Sequence, residues 1–495
     1  MFMSNLIHRL SAKKTYYFIL AAFTCIKLIT FFKTNAFYNP DEFEWLYCVK
    51  RCYSNPVPFI GFDSHTSGPF AVYYLFLIAK LSFGVSLYSI KLALFISQFT
   101  TLLLFQFLFK NWKIPTAASI LAVLFFLPTR DILAYNTEYV SLPVFTLLLI
   151  LRNKNQYAFI TAILTILLIF IKIQYLPILA VIAIAQIIKD SLKQLIYFFV
   201  ALLIVVLPLS LFNFQNFAYN FFIKNYLYTK QHTTISYFTA LKELFKFATI
   251  PALGILLPIL LLKFKFKSSI QFKPPIFAVC LFASAIAAIV LPKNNFFHYY
   301  ILSFVPLIFL LLESVHTNSS ITQKFAYSST LLFALVGSIF VIKSSNVPKW
   351  FPNVKLEKNT PIQQQLKHWE QNTAKTDKPI PYDFFLSIQE YIKPNQTILI
   401  SGWLESQTYY YPLSDRMDFP YRSNHMFYFQ SNDPNILKNE TLQLMEDLKS
   451  CNYPDIIVIT SDYPMLKQIL QKLLTEKYTM KTTNSNFSIY IKSKP

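Results

Sequence analysis

The sequence predicts a polytopic α-helical membrane protein with about 11 transmembrane helices and a C-terminal α/β domain. Hydrophobic residues make up 54% of the 495 positions. Several apolar runs reach roughly 18 residues, which is long enough to cross the hydrocarbon core of a bilayer. Much of the net charge of +21 lies in short connectors between these runs, where Lys and Arg mark the cytoplasmic side of a membrane. This distribution argues against a nucleic-acid-binding protein.

The N-terminal segment sets the orientation of the first span. Residues 1–14 carry four basic side chains, so we expect this end to be cytoplasmic. The apolar run over about 15–32 is not followed by a small-residue cleavage site, which favours a retained span over a signal peptide. An external loop follows it, and with the next helix this loop covers residues 34–86.

The apolar run over residues 69–84 is short and contains Lys80. If it crossed the membrane, the later basic connectors would fall on the external side. An amphipathic helix lying in the membrane interface keeps these connectors cytoplasmic. Six further transmembrane spans are predicted at about 87–109, 114–128, 140–151, 195–212, 247–262 and 328–342. Another four are predicted only by their ends, near Lys172, Lys189, Pro292 and Glu313.

The transmembrane domain therefore covers residues 1–343, and the C-terminal domain covers 344–495 on the external, periplasmic side. Its predicted strands are 397–401, 455–459 and 487–491, which are rich in β-branched and aromatic residues. Helical spacing is present over 435–448 and 465–474. No Gly-rich nucleotide loop is present, which argues against external ATP chemistry.

The first external loop begins with an unusual acidic segment, in which Asp41, Glu42 and Glu44 stand close to Trp45. If a helix begins at Asp41, then Asp41 and Glu44 lie on one side of it and Glu42 on another. The nearby Cys48 and Cys52 are spaced poorly for a disulfide within one helix, and whether they pair is left open.

The predicted topology collects the unusual polar side chains on the external side: His65, Lys91, Glu138, Lys172, Lys230, Lys293, His298 and Tyr299. Cations there can hold a lipid-linked phosphate, and a carboxylate can deprotonate a hydroxyl or hold a divalent cation. Ordinary alternatives remain open. Lys172 can be a lysine that snorkels from a span end, and Glu138 can simply begin its helix. No motif for zinc is present.

Short motifs, in order along the chain, resemble those of the glycosyltransferase-C superfamily, specifically bacterial relatives of the protein O-mannosyltransferases and the aminoarabinose lipid A transferase. They are Asp41-Glu42, Ser67-Gly68-Pro69-Phe70, Lys91, Glu138, Ile171-Lys172-Ile173-Gln174 and Phe297-His298-Tyr299-Tyr300. One departure concerns Ser67, because these families have His or Lys before the proline. His65 is a candidate substitute, and Glu44 replaces a basic residue of the aminoarabinose transferases.

The resemblance implies inverting transfer of a sugar from a polyprenyl-phosphate carrier to a periplasmic glycan, lipid or protein acceptor. Asp41 would be the general base and Glu42 its assistant. Lys91, Lys172, His298 and Tyr299 would bind the donor phosphate, whereas His65, Glu138, Lys230 and Lys293 would bind substrate. No cofactor is required, although Asp41 and Glu42 are candidates for holding a divalent cation.

Two other classes of function are compatible with a chain of this kind. A lipid-linked glycan flippase also needs cations near the membrane, but it is expected to carry inverted repeats, which the sequence lacks. An O-antigen ligase or polymerase typically concentrates its functional residues in later loops. All three readings place the protein in the bacterial inner membrane.

Overall fold

A computed structural model describes residues 41–59, 61–62, 64, 67–108, 135–188, 191–210, 217–224, 236–245, 271–292, 297–316, 396–400, 434–450, 452–460, 464–483 and 487–493, with 17, 20–21, 24–25 and 391. The chain forms two compact units. The helical unit consists of Met1–Thr34 and Thr66–Val347, and the mixed unit consists of Asn35–His65 and Pro348–Pro495. A domain boundary at residues 343/344 stays a prediction.

Helices dominate the described residues of the helical unit. They are α2 (Pro69–Leu81), α3 (Leu87–Leu108), α4 (Thr137–Leu151), α5 (Ala158–Ile169), α6 (Leu176–Ile187), α7 (Ser191–Ser210), α8 (Ile276–Val290) and α9 (Phe304–Ser314); α1 (Asp41–Ser54) belongs to the mixed unit. Short 3₁₀ helices cover Asn155–Tyr157, Ile173–Tyr175 and Phe297–Ser303, and a π-helix covers Tyr219–Lys224.

Two of the described helices are long and apolar enough to cross a membrane, over Tyr88–Phe105 in α3 and Leu192–Leu209 in α7. The other apolar helices of this unit are shorter. Helices are present where spans were predicted at 87–109, 140–151 and 195–212. Helix α4 begins at Thr137 rather than at residue 140. The predicted spans at 114–128, 247–262 and 328–342 lie outside the described residues, so the total of about 11 spans stays a prediction.

Helix packing in this unit uses small side chains. On α8, Ala278, Ala285 and Ala288 lie on the buried face, and α8 packs against α6 and α9. Small residues let membrane helices approach closely without leaving voids. Helix α4 packs against α3 and α5.

Two short paired strands lie next to the start of α8 and the end of α9. Strand β1 (Gln271–Phe272) pairs antiparallel with β2 (Val315–His316). The Lys273 N–H donates to the Ser314 carbonyl at 2.8 Å. The start of α8 and the end of α9 are therefore held together.

The mixed unit contains a four-stranded sheet in the order β3 (Ile398–Ile400), β4 (Ile456–Thr460), β6 (Phe487–Lys492), β5 (Tyr478–Thr483). The first pair is parallel and the other two are antiparallel. Helices α10 (Pro434–Ser450) and α11 (Pro464–Lys477) bury leucines against the sheet. The three predicted strands and two predicted helices are confirmed, whereas β5 was missed.

Candidate functional site

The candidate site forms where two distant backbone segments pair. Helix α5 ends at Ile169, and Lys172 then forms an isolated antiparallel bridge with Ser67. The Gly68 N–H donates to the Ile171 carbonyl at 2.9 Å. A Cβ on Gly68 would lie 1.7 Å from the Phe170 carbonyl oxygen, so only glycine permits this approach. The pairing brings the Ser67 and Lys172 side chains together.

The Lys172 ammonium has three acceptors within reach. Its Nζ lies 2.9 Å from Glu138 Oε1, 3.2 Å from Ser67 Oγ and 3.4 Å from Thr137 Oγ1. An ammonium group has three N–H donors, so these acceptors match its capacity. Lys172 is 3% exposed, and the snorkelling alternative therefore does not describe it.

Further contacts hold these groups in place. The Ser67 and Thr137 hydroxyl oxygens are 2.7 Å apart. The Tyr299 ring lies against the ammonium, with its centroid 4.9 Å from Lys172 Nζ, close enough for a cation–π interaction. We call Ser67, Thr137, Glu138, Lys172 and Tyr299 the lysine cluster. Because its ion pair is buried, loss of either charge would leave the other uncompensated.

Glu138 takes the helix-start position that the sequence offered as its ordinary alternative, and it also makes an ion pair that the sequence did not predict. It stands in the first turn of α4, where a carboxylate interacts favourably with the helix dipole. It also forms the ion pair with Lys172. Near it, the Ser141 and Tyr175 hydroxyls lie 2.7 Å apart, which extends the polar groups one turn further along α4.

Tyrosines tie the surrounding segments together. Tyr135 donates to the Ala71 carbonyl at 3.3 Å, and Tyr74 donates to the Ala93 carbonyl at 2.9 Å. Burial, together with Tyr74 and Glu138, raises the pKa of Tyr135 well above its usual value. Its hydroxyl therefore stays protonated and remains a hydrogen-bond donor.

The acidic segment begins a helix at Asp41, which the sequence had left as a condition. Along α1 the side chains of Glu42, Trp45, Leu46 and Val49 are buried, and their spacing places them on one helix face. Glu42 is therefore a buried carboxylate and not a solvated one. The side chains of Asp41 and Glu44 lie outside the described part of the structure.

The two cysteines of α1 are both buried, and no disulfide joins them. Burial raises the pKa of Cys52 to about 12. The thiolate is the nucleophile in cysteine chemistry, so this thiol is unreactive at neutral pH.

The structure brings together three of the residues singled out in the sequence: Glu138, Lys172 and Tyr299. Lys91 is buried near the start of α3. Predictions for other positions fall on side chains outside the described residues: Asp41, His65, Lys230, Lys293 and His298. The described residues contain no group of three or more His, Cys, Asp and Glu side chains that could hold a metal ion.

Sequence reasoning missed the two hydroxyl residues of the lysine cluster. Ser67 was noted only as a departure from a basic residue, yet a lysine ammonium lies 3.2 Å from its hydroxyl. A cation thus occupies the neighbourhood of position 67 although residue 67 itself is neutral. Gln174 was also missed; it is largely buried, and its Oε1 accepts no hydrogen bond from the described residues.

The chain matches no protein-family model and no curated protein. Among solved structures, it is similar to ArnT from Cupriavidus metallidurans bound to undecaprenyl phosphate, with a TM-score of 0.58 and 10% identity over 95% of this chain and 97% of that one. The apo form of the same protein gives a TM-score of 0.56 over 97% and 98% of the two chains, also at 10% identity. The chain therefore shares its fold with ArnT, and the predicted resemblance is confirmed at the level of the fold alone.

Proposed function

We propose that the protein is a membrane glycosyltransferase that moves a sugar, with inversion, from a polyprenyl-phosphate carrier to an acceptor at the periplasmic face. The acceptor class is a glycan, a lipid such as lipid A, or a protein. The fold shared with ArnT supports this proposal, since that protein has been crystallised with undecaprenyl phosphate. The sugar and the number of spans are left open.

The observation that carries the proposal is the buried Lys172 ammonium. A lysine 3% exposed and held by a carboxylate at 2.9 Å is costly to keep in a protein interior. A structural role alone would be served as well by apolar side chains of similar volume. A cation held in fixed geometry is suited to an anionic group such as a phosphate.

The lysine cluster can accommodate such a phosphate by exchanging partners. All three ammonium donors already have acceptors, so an entering phosphate oxygen would replace a hydroxyl oxygen of Ser67 or Thr137. The displaced hydroxyl can then donate to the phosphate itself, because a hydroxyl is both donor and acceptor. Glu138 keeps the lysine oriented during the exchange.

In the proposed reaction an acceptor hydroxyl attacks the anomeric carbon of the donor sugar. Asp41 takes the hydroxyl proton while the new carbon–oxygen bond forms. The bond to the carrier phosphate breaks, and its electron pair leaves with the phosphate oxygen. Lys172, with Lys91 and His298, stabilises the negative charge that grows on this leaving group. Glu42 orients the acceptor.

Several of these roles come from the resemblance and stay predictions for this chain. They concern Asp41 and Glu42 in the reaction, His65, Lys230 and Lys293 in substrate binding, and His298 at the phosphate. A divalent cation is compatible with the carboxylates of Asp41 and Glu42, and the reaction as written does not require one, because lysines can supply the positive charge.

The test is a transfer assay with the full chain in liposomes and a panel of radiolabelled polyprenyl-phosphate sugars. Wild type should transfer one of them to an acceptor. Asp41→Asn should lose about 10²-fold or more in rate, and Lys172→Gln should lose on the order of 10²-fold. Two exposed residues of α11, changed as Glu476→Gln and Lys472→Gln, serve as controls for the same changes in charge.

Equal transfer by wild type and Asp41→Asn would overturn the base assignment. Movement of an intact lipid-linked glycan across the liposome, without transfer, would favour the flippase reading.

A further inference from the structure

A second polar site lies at the other end of α4. The cavity there has a volume of about 260 Å³, and α4, α6, α8 and α9 contribute to it. Its lining includes Arg152, Asn153, Gln186, Phe277, Phe309 and Glu313. Arg152 follows the last residue of α4, roughly 21 Å along the helix axis from Glu138 at 1.5 Å per residue. This cavity is therefore separate from the lysine cluster.

Arg152 lies against two aromatic rings that are nearly perpendicular to each other, with an interplanar angle of 89°. Its guanidinium carbon lies 4.9 Å from the centroid of Phe277 and 4.8 Å from that of Phe309. One N–H donates to the Leu149 carbonyl, which is its one protein acceptor among the described residues. A guanidinium has five N–H donors, so most of them are available to a ligand.

The charge of Arg152 is secure at neutral pH. Burial lowers its pKa to about 10, and the carboxylate of Glu313 opposes that shift. The contacts with the two rings and with the Leu149 carbonyl hold the guanidinium in place. A planar fork of this kind matches phosphate oxygens.

Gln186 supplies an acceptor in the same cavity. Its Nε2 donates to Thr161 Oγ1 at 3.0 Å, and that hydroxyl uses its own hydrogen on the Ala158 carbonyl at 2.7 Å. The hydroxyl can therefore only accept from Gln186, which fixes the orientation of the amide. Gln186 is 5% exposed, and its Oε1 accepts no hydrogen bond from the described residues. A buried acceptor left without a donor is costly.

An apolar groove adjoins this cavity. It has a volume of about 700 Å³ and shares Arg152, Asn153, Phe309 and Glu313 with the smaller cavity. Its other lining residues are largely apolar and lie on α3 and α4, among them Leu104, Phe107, Leu147 and Ile150. Phe107 is exposed. The groove thus offers an apolar surface that leads to a fixed cation.

We propose that this end of the helical unit binds one anionic phospholipid, with its phosphodiester on Arg152, a headgroup hydroxyl on Gln186 Oε1 and an acyl chain in the α3–α4 groove. Phosphatidylglycerol has this chemistry, since its phosphodiester is anionic and its glycerol headgroup carries hydroxyl donors. The site is independent of the proposed transferase chemistry. In the predicted topology it faces the cytoplasmic leaflet.

The test is native mass spectrometry of the full chain, purified in detergent and incubated with defined lipids. Wild type should retain phosphatidylglycerol in preference to phosphatidylcholine. Arg152→Gln should weaken that retention by about tenfold or more, as expected for loss of a charge-assisted hydrogen bond. Lys193→Gln is the matched control, because Lys193 is an exposed lysine of α7 that does not line either cavity.

The substitution Gln186→Leu tests the contact between Gln186 and the headgroup hydroxyl separately from the contact with Arg152. Wild type should prefer phosphatidylglycerol to phosphatidylmethanol, which is anionic but lacks a headgroup hydroxyl. The variant should bind the two lipids equally. If Arg152→Gln does not fold, Arg152→Lys replaces it and should keep the preference for anionic lipids.

Three results would overturn the proposal. They are equal retention of phosphatidylglycerol and phosphatidylcholine by wild type, equal retention by Arg152→Gln and Lys193→Gln, and full displacement of the lipid by glycerol 1-phosphate. The last result would identify a soluble phosphate as the ligand.

Discussion

A cation lies at each end of helix α4, and the two cations differ in how many polar partners they have. At its start, the Lys172 ammonium is held by Glu138 at 2.9 Å and by two hydroxyls. At its end, the Arg152 guanidinium lies against two rings and has one backbone acceptor among the described residues. One cation has its polar partners in place, and the other presents unused donors to a cavity.

The two cations are therefore stabilised in different ways inside the protein. Lys172 depends on a carboxylate, so its charge and that of Glu138 stabilise each other inside the protein. Arg152 depends on its high intrinsic pKa, on the nearby carboxylate of Glu313 and on aromatic faces, which attract a cation without neutralising it. A ligand at Arg152 can add its charge directly, whereas a ligand at Lys172 must compete with existing partners.

Breaking the Lys172–Glu138 pair should have the largest effect on stability. Lys172→Met leaves the Glu138 carboxylate buried without its cation, and we expect a loss of about 3–5 kcal/mol in the free energy of unfolding. The measurement is chemical unfolding in detergent micelles, followed by circular dichroism.

The double variant Lys172→Met, Glu138→Gln removes both charges and should recover much of the lost stability while remaining inactive in transfer. Lys193→Met is the control and should change the free energy of unfolding by less than about 0.5 kcal/mol. Wild-type stability in Lys172→Met would contradict the buried ion pair.

The backbone approach at Gly68 should have the next largest effect. In Gly68→Ala the new Cβ would lie 1.7 Å from the Phe170 carbonyl oxygen, so the two segments must separate. We expect a loss of about 1–3 kcal/mol in stability and at least a tenfold loss of transfer, because Ser67 and Lys172 move apart.

Gly84→Ala is the matched control for this substitution. Gly84 has a φ of +67°, and no atom lies within 4 Å of the position that an alanine methyl group would take. Alanine there therefore costs roughly 1 kcal/mol through backbone strain alone. Transfer should be retained in this control. If both variants transfer equally well, the pairing of residues 67 and 172 does not position the site.

Part of the lysine cluster could be predicted from the sequence, for a physical reason. Glu138 and Lys172 are isolated charges next to apolar runs, and such charges need a partner. Ser67 and Thr137 gave no comparable signal, since hydroxyl residues are common in every part of a membrane protein. Ser67 lies 105 positions from Lys172, and no local pattern indicates that their backbones pair.

In the mixed unit and at the Arg152 end of α4, local residue patterns also predicted only part of the structure. In the mixed unit, β4 and β6 were predicted because apolar β-branched and aromatic residues fill them. Strand β5 was missed because most of its side chains are exposed, so its sequence lacks that pattern. Arg152 follows the predicted span at 140–151 and belongs to the basic connectors that mark the cytoplasmic side, and its sequence position indicates no other role. Its contacts with Phe277 and Phe309 depend on the packing of three helices, which residue spacing does not reveal.

The smallest expected effect on stability is that of Arg152→Met. This substitution tests whether the cations at the two ends of α4 are stabilised in different ways. The substitution removes the cation–π contacts with the two rings, worth about 1 kcal/mol, but it also removes a cation that burial destabilises. Glu313 is only partly buried, so it does not become a fully buried lone carboxylate. We expect a loss of about 1 kcal/mol in lipid-free micelles, measured as for Lys172→Met. A loss of the same size as in Lys172→Met would show that Arg152 is also held mainly by an ion pair, and the contrast between the two ends of α4 would fail.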